Sequence, residues 1–226
     1  MEYFFTEAFE KMTKEEKESF YRTVILSDPA EYAGELRVKY YAGKLKKMGS
    51  GVKIGANVKI VNPQYISIGD NVVINDNVTL IARGEGGIAI GNGAALQDRV
   101  YLDTERKDGY ISVGERVYIG TGTTMFGHVG LEIGDHTLLA QNITVTPYSH
   151  IFDDPEADIF TQGGRVERVT IGRDCYLGMG VCVMYSGSIG DGTVIGAHST
   201  VVKPIPPFSV AVGTPARVIK KREKTE

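Results

Sequence analysis

Residues 189–203 read IGDGTVIGAHSTVVK, and apolar side chains stand six positions apart in this stretch, at Ile189, Ile195 and Val201. The same spacing recurs upstream in five further groups of three. These groups are Ile68-Ile74-Leu80, Ile90-Leu96-Leu102, Val113-Ile119-Met125, Ile133-Leu139-Val145 and Ile171-Leu177-Val183. A period of six matches neither the 3.6-residue repeat of a helix face nor the two-residue alternation of a strand. It indicates units that bury their apolar side only by stacking on one another.

Three such hexads suffice for one triangular coil in which each hexad supplies a short strand and a turn. The apolar residues that recur every six positions, here called marks, should then point inward. Successive coils should stack in parallel. Glycine follows many of the marks, at positions 69, 91, 114, 120, 134, 172, 178, 190 and 196. Because glycine accepts backbone angles that other residues resist, we expect these glycines at the corners. The pattern predicts an all-β solenoid.

Composition excludes several other classes. The 226 residues suit one domain with a small appendage, and a formal net charge of -3 does not favour nucleic acid as a partner. No apolar run approaches the roughly 20 residues that span a bilayer. Residues 1–11 are acidic and aromatic, unlike a signal peptide, so a cytoplasmic location is expected. Cys175 and Cys182 fall inside one coil and are predicted to be packed thiols rather than a disulfide.

The segment 1–49 differs from the repeat and is predicted to be a helical cap. Thr13 and Glu16 have the spacing of a capping box, which predicts a helix running toward Leu26. Asp28-Pro29 predicts the start of a second helix that ends near Gly49. The solenoid is then expected over 50–214, followed by a basic tail at 215–226.

One insertion interrupts the repeat. The groups of three that start at residues 68, 90, 113 and 133 begin 20 to 23 residues apart. The next group starts at residue 171, 38 residues after the group at 133. The extra residues predict a protruding loop at about 147–168. His150 lies in this loop, and a neutral imidazole can take a proton from an alcohol or an amine near pH 7. Asp153 and Asp154 follow closely. They could orient the imidazole or bind acceptor hydroxyls, but carboxylates before a proline also form turns.

The C-terminal third resembles a known family most strongly. The stretches VTIGRDCYLG at 169–178, IPPFSV at 205–210 and VGTPARVIKK at 212–221, together with 189–203, are similar to the hexapeptide-repeat acyltransferases. The nearest branch is that of galactoside, maltose and polysaccharide O-acetyltransferases, and the resemblance covers about 50–221. It implies a left-handed parallel β-helix, a cytoplasmic homotrimer, and acetyl-CoA as co-substrate, with no metal.

The resemblance also assigns roles to single residues. His150 corresponds to the family's catalytic base. Direct transfer from acetyl-CoA is expected because neither cysteine lies near His150 in the sequence, and Tyr148, Asp153 and Asp154 are the candidate residues for acceptor contact. Acetyl-CoA would lie between two subunits against Met179, Ala197, Val202, Lys203, Arg217 and Lys220. Two departures stand out, because Gly120 replaces an asparagine of that branch and Tyr176 replaces its tryptophan.

Several functions remain open from the sequence. The acceptor implied first is a sugar or polysaccharide-precursor hydroxyl. An amino sugar acetylated on nitrogen comes second and a xenobiotic alcohol third. A γ-type carbonic anhydrase-like metalloenzyme would use His128, His136 and His150, although 128 and 136 are spaced too widely for that family's ligand pair. A solenoid without catalysis, serving as a scaffold, is the last alternative.

Overall fold

The computed structural model describes residues 8–223, so the first seven residues of the predicted cap and the last three of the predicted tail lie outside it. Residues 8–11 are helical, α1 spans Lys14–Phe20 and continues as a π-helical segment at Tyr21–Ile25, and α2 spans Glu31–Ala42. The predicted capping box is confirmed, because Thr13 Oγ1 accepts from the Glu16 amide and Glu16 accepts from the Thr13 amide. The second helix begins at Glu31, two residues later than Asp28-Pro29 predicted, and ends at Ala42, earlier than the predicted end near Gly49.

The chain after α2 winds into about seven coils with three parallel sheets, here called faces A, B and C. Face A contains β1 (Lys47–Met48), β4 (Ile66–Ile68), β7 (Gly87–Ile90), β10 (Tyr110–Val113), β13 (Leu131–Ile133) and β18 (Val169–Ile171). Face B contains β2 (Lys53–Ile54), β5 (Val73–Ile74), β8 (Ala95–Leu96), β11 (Tyr118–Ile119), β14 (Leu138–Leu139), β19 (Tyr176–Leu177), β21 (Val194–Ile195), β23 (Ser209–Val212) and β24 (Arg217–Lys221). Face C contains β3 (Lys59–Val61), β6 (Thr79–Ile81), β9 (Tyr101–Asp103), β12 (Thr124–Phe126), β15 (Thr144–Val145), β20 (Cys182–Val183) and β22 (Thr200–Val201).

Three further elements stand outside these faces. The strands β16 (Tyr148–His150) and β17 (Gly164–Val166) form an antiparallel hairpin. Short 3₁₀ turns occur at Pro63–Tyr65 and Ile159–Thr161. The solenoid's first strand lies inside the segment predicted as cap, and the segment predicted as tail supplies β24, which pairs antiparallel with β23. None of the helices in residues 8–223 is long and apolar enough to cross a membrane.

The six-residue marks form the core. All eighteen marks are at most 3% exposed, from Ile68 to Val201. Each mark lies in register with the mark of the next coil, as Ile119 does with Leu96 below it and Leu139 above it. The predicted inward direction of the marks is therefore confirmed.

The glycines after the marks have a different role from the one expected. None of them has a positive φ. A Cβ at Gly91 would lie 2.6 Å from the Gly114 carbonyl carbon, and one at Gly178 would lie 2.6 Å from the Ala197 nitrogen. These glycines therefore permit close stacking of coils. The left-handed residue comes three positions after a mark instead, at Asn71, Asn77, Gly93, Arg99, Glu105, Arg116, Gly122, His128, His136, Asn142, Asp174, Gly180, Ser186, Gly192 and His198.

A buried arginine joins the helical cap to the first coil. Arg37 is 3% exposed, and its Nε donates to the Ile54 carbonyl at 2.9 Å. Its Nη1 donates to the carbonyls of Ile25 and Asp28 at 3.0 and 2.5 Å. One side chain therefore satisfies carbonyl groups on the solenoid, on the π-helical segment and on the following loop.

We expect Arg37→Met to lower the free energy of unfolding by about 1–3 kcal/mol, because three carbonyl groups lose their charged donor. The measurement is urea unfolding followed by circular dichroism. Lys39→Met, an exposed lysine on the same helix, is the matched control and should change stability little. Equal stability of the two variants would contradict the assigned role of Arg37.

Candidate active site

The insertion is an antiparallel hairpin that leaves the solenoid where face C turns to face A, here called the CA corner. In the hairpin, Tyr148 pairs with Val166 and His150 pairs with Gly164. The Val169 amide donates to the Gly130 carbonyl at 3.1 Å, which anchors the chain below the hairpin. Ser186 on the next coil donates a hydrogen bond to Glu167. The hairpin is therefore held by the coils on both sides of it.

His150 lies at the end of β16 and is exposed. Its Nδ1 is 3.2 Å from the Tyr148 hydroxyl oxygen, and the two rings meet edge to face at 4.9 Å and 89°. The Tyr148 ring also stacks on His128 at 5.1 Å and 21°. The structure therefore brings two predicted site residues, His150 and Tyr148, together with a second histidine, His128. Within residues 8–223 the Nε2 atom of His150 has no hydrogen-bond partner, so this ring nitrogen can meet an incoming group.

Sequence reasoning missed the aromatic row that leads to this site. Phe126 lies 6.2 Å from His128 between ring centroids, and Tyr101 lies 6.2 Å from Phe126. Both residues flank inward marks on face C, so the register of the repeat placed them on its outer surface. What the repeat could not indicate is that the hairpin lies over this end of face C.

A buried carboxylate anchors the same corner. Asp103 is fully buried and accepts from Arg83 at 2.9 and 2.6 Å, from the Tyr101 hydroxyl at 3.0 Å and from the Glu105 amide at 2.8 Å. Burial raises the pKa of Asp103, but the hydrogen bonds and the charge of Arg83 outweigh it and leave this pKa below its usual range. Asp103 therefore remains charged and fixes the bulge at 104–109.

The two aspartates of the hairpin loop have partners within the loop. Asp153 forms an ion pair with Arg165. Asp154 Oδ1 accepts from the Glu156 amide at 2.9 Å, which is a local turn. The side chain of Gln162 donates to the Asp154 carbonyl at 2.9 Å. These contacts shape the loop, and they place neither carboxylate in a hydrogen bond with His150.

Of the residues predicted to hold acetyl-CoA, Met179 and Ala197 lie at another corner, whereas Val202 and Lys203 follow β22 at the CA corner. Met179 and Ala197 are exposed where face B turns to face C, here called the BC corner, and the His198 amide donates to the Met179 carbonyl at 2.8 Å. Val202 and Lys203 are exposed just after β22.

Arg217 and Lys220 are exposed on β24. The two basic residues that follow are hydrogen-bonded to the solenoid. Lys221 Nζ donates to the Pro207 carbonyl at 3.0 Å, and Arg222 Nη1 donates to the Gly192 carbonyl at 2.5 Å. Within residues 217–222, Arg217 and Lys220 are therefore exposed on β24, whereas Lys221 and Arg222 are hydrogen-bonded to solenoid carbonyls.

The two groups of site residues are separated within one chain. Gly180 at the BC corner and Ser186 at the CA corner of the same coil are six residues apart. At 3.2–3.4 Å per extended residue the corners are roughly 15–20 Å from each other. The hairpin with His150 extends from the CA corner, whereas Met179 and Ala197 lie at the BC corner. One chain thus presents His150 and the contacts expected at Met179 and Ala197 at opposite edges of face C, whereas Val202 and Lys203 lie at the hairpin's edge of that face.

The three histidines considered as metal ligands are not gathered in one place. His128 is at the CA corner, whereas His136 is exposed at the corner between faces A and B. Within residues 8–223, no three His, Cys, Asp or Glu side chains are grouped so that they could hold a metal ion.

Comparison with known proteins places the chain in a family. A family model for the hexapeptide repeat of succinyl-transferase matches residues 110–147. The probable acetyltransferase Rv3034c of Mycobacterium tuberculosis is 32% identical over 166 residues, which are 73% of this chain and 54% of that protein. The putative colanic acid biosynthesis acetyltransferase WcaF of Escherichia coli is 30% identical over 182 residues, covering 80% of this chain and 71% of that protein. The galactoside O-acetyltransferase of Escherichia coli is 32% identical over 134 residues, covering 58% and 63%.

Solved structures agree on the fold. AntD, an N-acyltransferase from Bacillus cereus, was solved as a point mutant in complex with dTDP-4-amino-4,6-dideoxyglucose and coenzyme A. That structure has a TM-score of 0.60 at 20% identity, covering 83% of this chain and 90% of that one. LpxA from Acinetobacter baumannii has a TM-score of 0.60 at 19% identity, covering 77% and 62%. The predicted left-handed parallel β-helix is confirmed.

The chain belongs to the hexapeptide-repeat acetyltransferase family, as the resemblance predicted. It spans about half the length of the mycobacterial relative and 71% of WcaF.

His128 should make stability depend on pH. Burial lowers the pKa of His128, helped by Arg106 and opposed by Glu105 and Asp103. At pH values just below the ordinary histidine pKa of about 6.5, the unfolded chain binds more protons than the folded chain. The free energy of unfolding therefore falls as the pH falls.

We expect His128→Asn to flatten this dependence, since asparagine tolerates the left-handed backbone of position 128. Urea unfolding at several pH values from about 7 to about 5 measures the slope. His136→Asn, at another left-handed corner, is the control. An unchanged slope in His128→Asn would contradict the lowered pKa.

Proposed function

We propose that the protein is an acetyl-CoA-dependent O-acetyltransferase acting on a hydroxyl of a sugar or polysaccharide precursor. Family membership and the names of its relatives support this reaction class. The observation that carries the proposal is the exposed His150, whose Nδ1 faces the Tyr148 oxygen and whose Nε2 is open. A neutral imidazole in that arrangement has the geometry of a general base.

In the proposed reaction, His150 Nε2 takes the proton of the acceptor hydroxyl while its oxygen attacks the acetyl carbonyl carbon. A backbone N–H at a coil corner stabilises the negative oxygen of the tetrahedral intermediate. The carbon–sulfur bond then breaks, and the imidazolium returns the proton to the leaving thiolate. Direct transfer fits the described cysteines, because Cys175 is a buried thiol inside a coil and burial raises its pKa.

The cofactor part of the proposal places acetyl-CoA along the BC corner. Met179 and Ala197 would offer backbone groups to the pantetheine arm, and Val202 and Lys203, which lie at the CA corner, would flank the arm in a slot between two copies of the chain. Arg217 and Lys220 would meet the phosphates, and their outward position on β24 supports this. Free thiols at Cys175 and Cys182 fit a reducing compartment, so a cytoplasmic location is part of the proposal.

We further propose that the working unit is a homotrimer with active sites between subunits. An apolar column runs down the outside of face B, and Leu138 and Tyr176 within it are 50% and 46% exposed. The column consists of Val73, Ala95, Tyr118, Leu138, Tyr176, Val194 and Val210. Such a surface favours contact with another protein chain. A neighbouring copy could bring its BC corner to the hairpin of the first.

We expect His150→Ala to lower turnover by roughly 100- to 10,000-fold while acetyl-CoA affinity stays unchanged, because the base is lost and the BC corner is intact. Acetyl transfer to sugar and amino-sugar acceptors measures turnover, and calorimetric titration with acetyl-CoA and with free CoA measures binding. His136→Asn serves as the histidine control. Absence of acetyl-CoA binding to the wild-type protein would refute the proposed function, and unchanged turnover would remove His150 from it.

Sites shared between subunits predict complementation. His150→Ala and Arg217→Ala subunits, each nearly inactive alone, should regain activity when mixed, dissociated and reassembled. With random trimers, about one quarter of the sites pair an intact histidine with an intact arginine from the next copy. Activity near one quarter of wild type is expected. If both residues of a site came from one chain, each mixed trimer would stay inactive, and this outcome would exclude the shared site.

A further inference from the structure

We propose that Tyr148 is a positioning residue for His150, which it holds in the tautomer that base catalysis needs. This inference rests on the proposed function and specifies how its base is prepared. It differs from the expectation that Tyr148 binds the acceptor. The contacts of the Tyr148 ring carry the argument.

The ring of Tyr148 is held from two directions. His128 stacks on it at 5.1 Å with an interplanar angle of 21°. On the hairpin, a methyl group at Gly164 would overlap the Cε2, Cζ and Oη atoms of Tyr148, so the ring lies directly over the glycine backbone. A glycine at 164 is therefore a condition for this ring position. Few alternative positions remain for a ring fixed in this way.

The register of the hairpin explains why the phenol oxygen reaches the histidine. Tyr148 and His150 are two residues apart on β16, and side chains with that spacing point to the same side of a strand. Gly164 pairs with His150, whereas Tyr148 pairs with Val166. To cover Gly164, the tyrosine ring must run diagonally across the strand pair. This direction brings its hydroxyl oxygen to 3.2 Å from His150 Nδ1.

The hydrogen bond has a consequence for proton transfer. A neutral imidazole carries one N–H. If Nδ1 carries it, that N–H donates to the Tyr148 oxygen, and the lone pair of Nε2 is free to take the acceptor's proton. If Nε2 carries it, the phenol donates to Nδ1, and no lone pair faces the acceptor. Catalysis therefore needs the tyrosine oxygen as acceptor, and the same bond persists in the imidazolium.

The first test observes the tautomer and needs no substrate. In the wild-type protein labelled with ¹⁵N-histidine, we expect the neutral His150 to give the Nδ1–H pattern in two-bond ¹H–¹⁵N spectra, with the signal assigned by its loss in His150→Ala. Tyr148→Phe keeps the ring and removes only the oxygen, so the Nε2–H form should gain population. Tyr32→Phe, which removes the hydroxyl that donates to Asp28, is the control. An Nε2–H pattern in the wild type overturns the proposal.

The second test separates positioning from substrate contact. We expect Tyr148→Phe to lower kcat about 10-fold, as for the loss of one hydrogen bond, with the acceptor KM unchanged. Its kcat–pH profile should also shift, because the partner of the imidazolium is missing. A higher acceptor KM with unchanged kcat and an unchanged profile would make Tyr148 a binding residue and overturn the proposal.

A glycine variant tests how the ring is held. Gly164→Ala should displace the ring and reproduce the tautomer change of Tyr148→Phe with the phenol still present. Gly43→Ala, where an added Cβ meets no atom within 4 Å, is the control. A wild-type tautomer in Gly164→Ala would overturn the assigned support. Failure of the proposed function is distinguishable from failure of this inference, because it would be seen as absence of acetyl-CoA binding to the wild-type protein.

Discussion

The close stacking of successive coils is the constraint on which the rest of the structure depends. Strands of adjacent coils pair in parallel at a spacing of about 4.8 Å, so a side chain cannot fit between two coils at the corners. The glycines after the marks satisfy this requirement, since a Cβ at Gly178 would lie 2.6 Å from the next coil's backbone. The apolar marks then meet inside, each against the mark of its neighbours. The hairpin is hydrogen-bonded to two such coils and is held in place by them. His150 therefore has a defined position although it is exposed.

Buried charge occurs where the repeat is interrupted. Among residues 8–223 the buried charged side chains are Arg37 and Asp103. Arg37 connects the helical cap to the first coil, and Asp103 fixes a bulge beside the hairpin. Both make several hydrogen bonds, as burial of a charge requires. Regular hexads need no such residue, because backbone ladders already satisfy their polar groups. Buried ions therefore mark the irregular segments, and one of these segments lies beside the proposed base.

The sequence predicted the repeat well because apolar marks six residues apart have no other simple explanation. It also predicts His150 as the catalytic base, through the insertion and the resemblance. The role of the glycines could not be read from their identity, since a close approach and a left-handed angle both select glycine. Left-handed corners instead contain Asn71, His128 and His136, and the constant offset from the marks was a signal that could have found them. The contact between Tyr148 and His128 depends on where the hairpin folds, and no periodicity encodes that.

The repeat register places all the insertions of this chain at the corner of the proposed acceptor site and none at the BC corner of the proposed cofactor site. The spacing from face A to B and from B to C is always six, so every insertion, including those at 104–109 and 147–168, falls at the CA corner. The BC corner keeps its hexads, which suits a cofactor that is the same for a whole family. Added residues at the CA corner leave the ladders of all three faces intact, because each strand keeps its neighbour. If the acceptor binds at the hairpin as proposed, its recognition can change by insertion while the BC corner, with Met179 and Ala197, keeps its hexads.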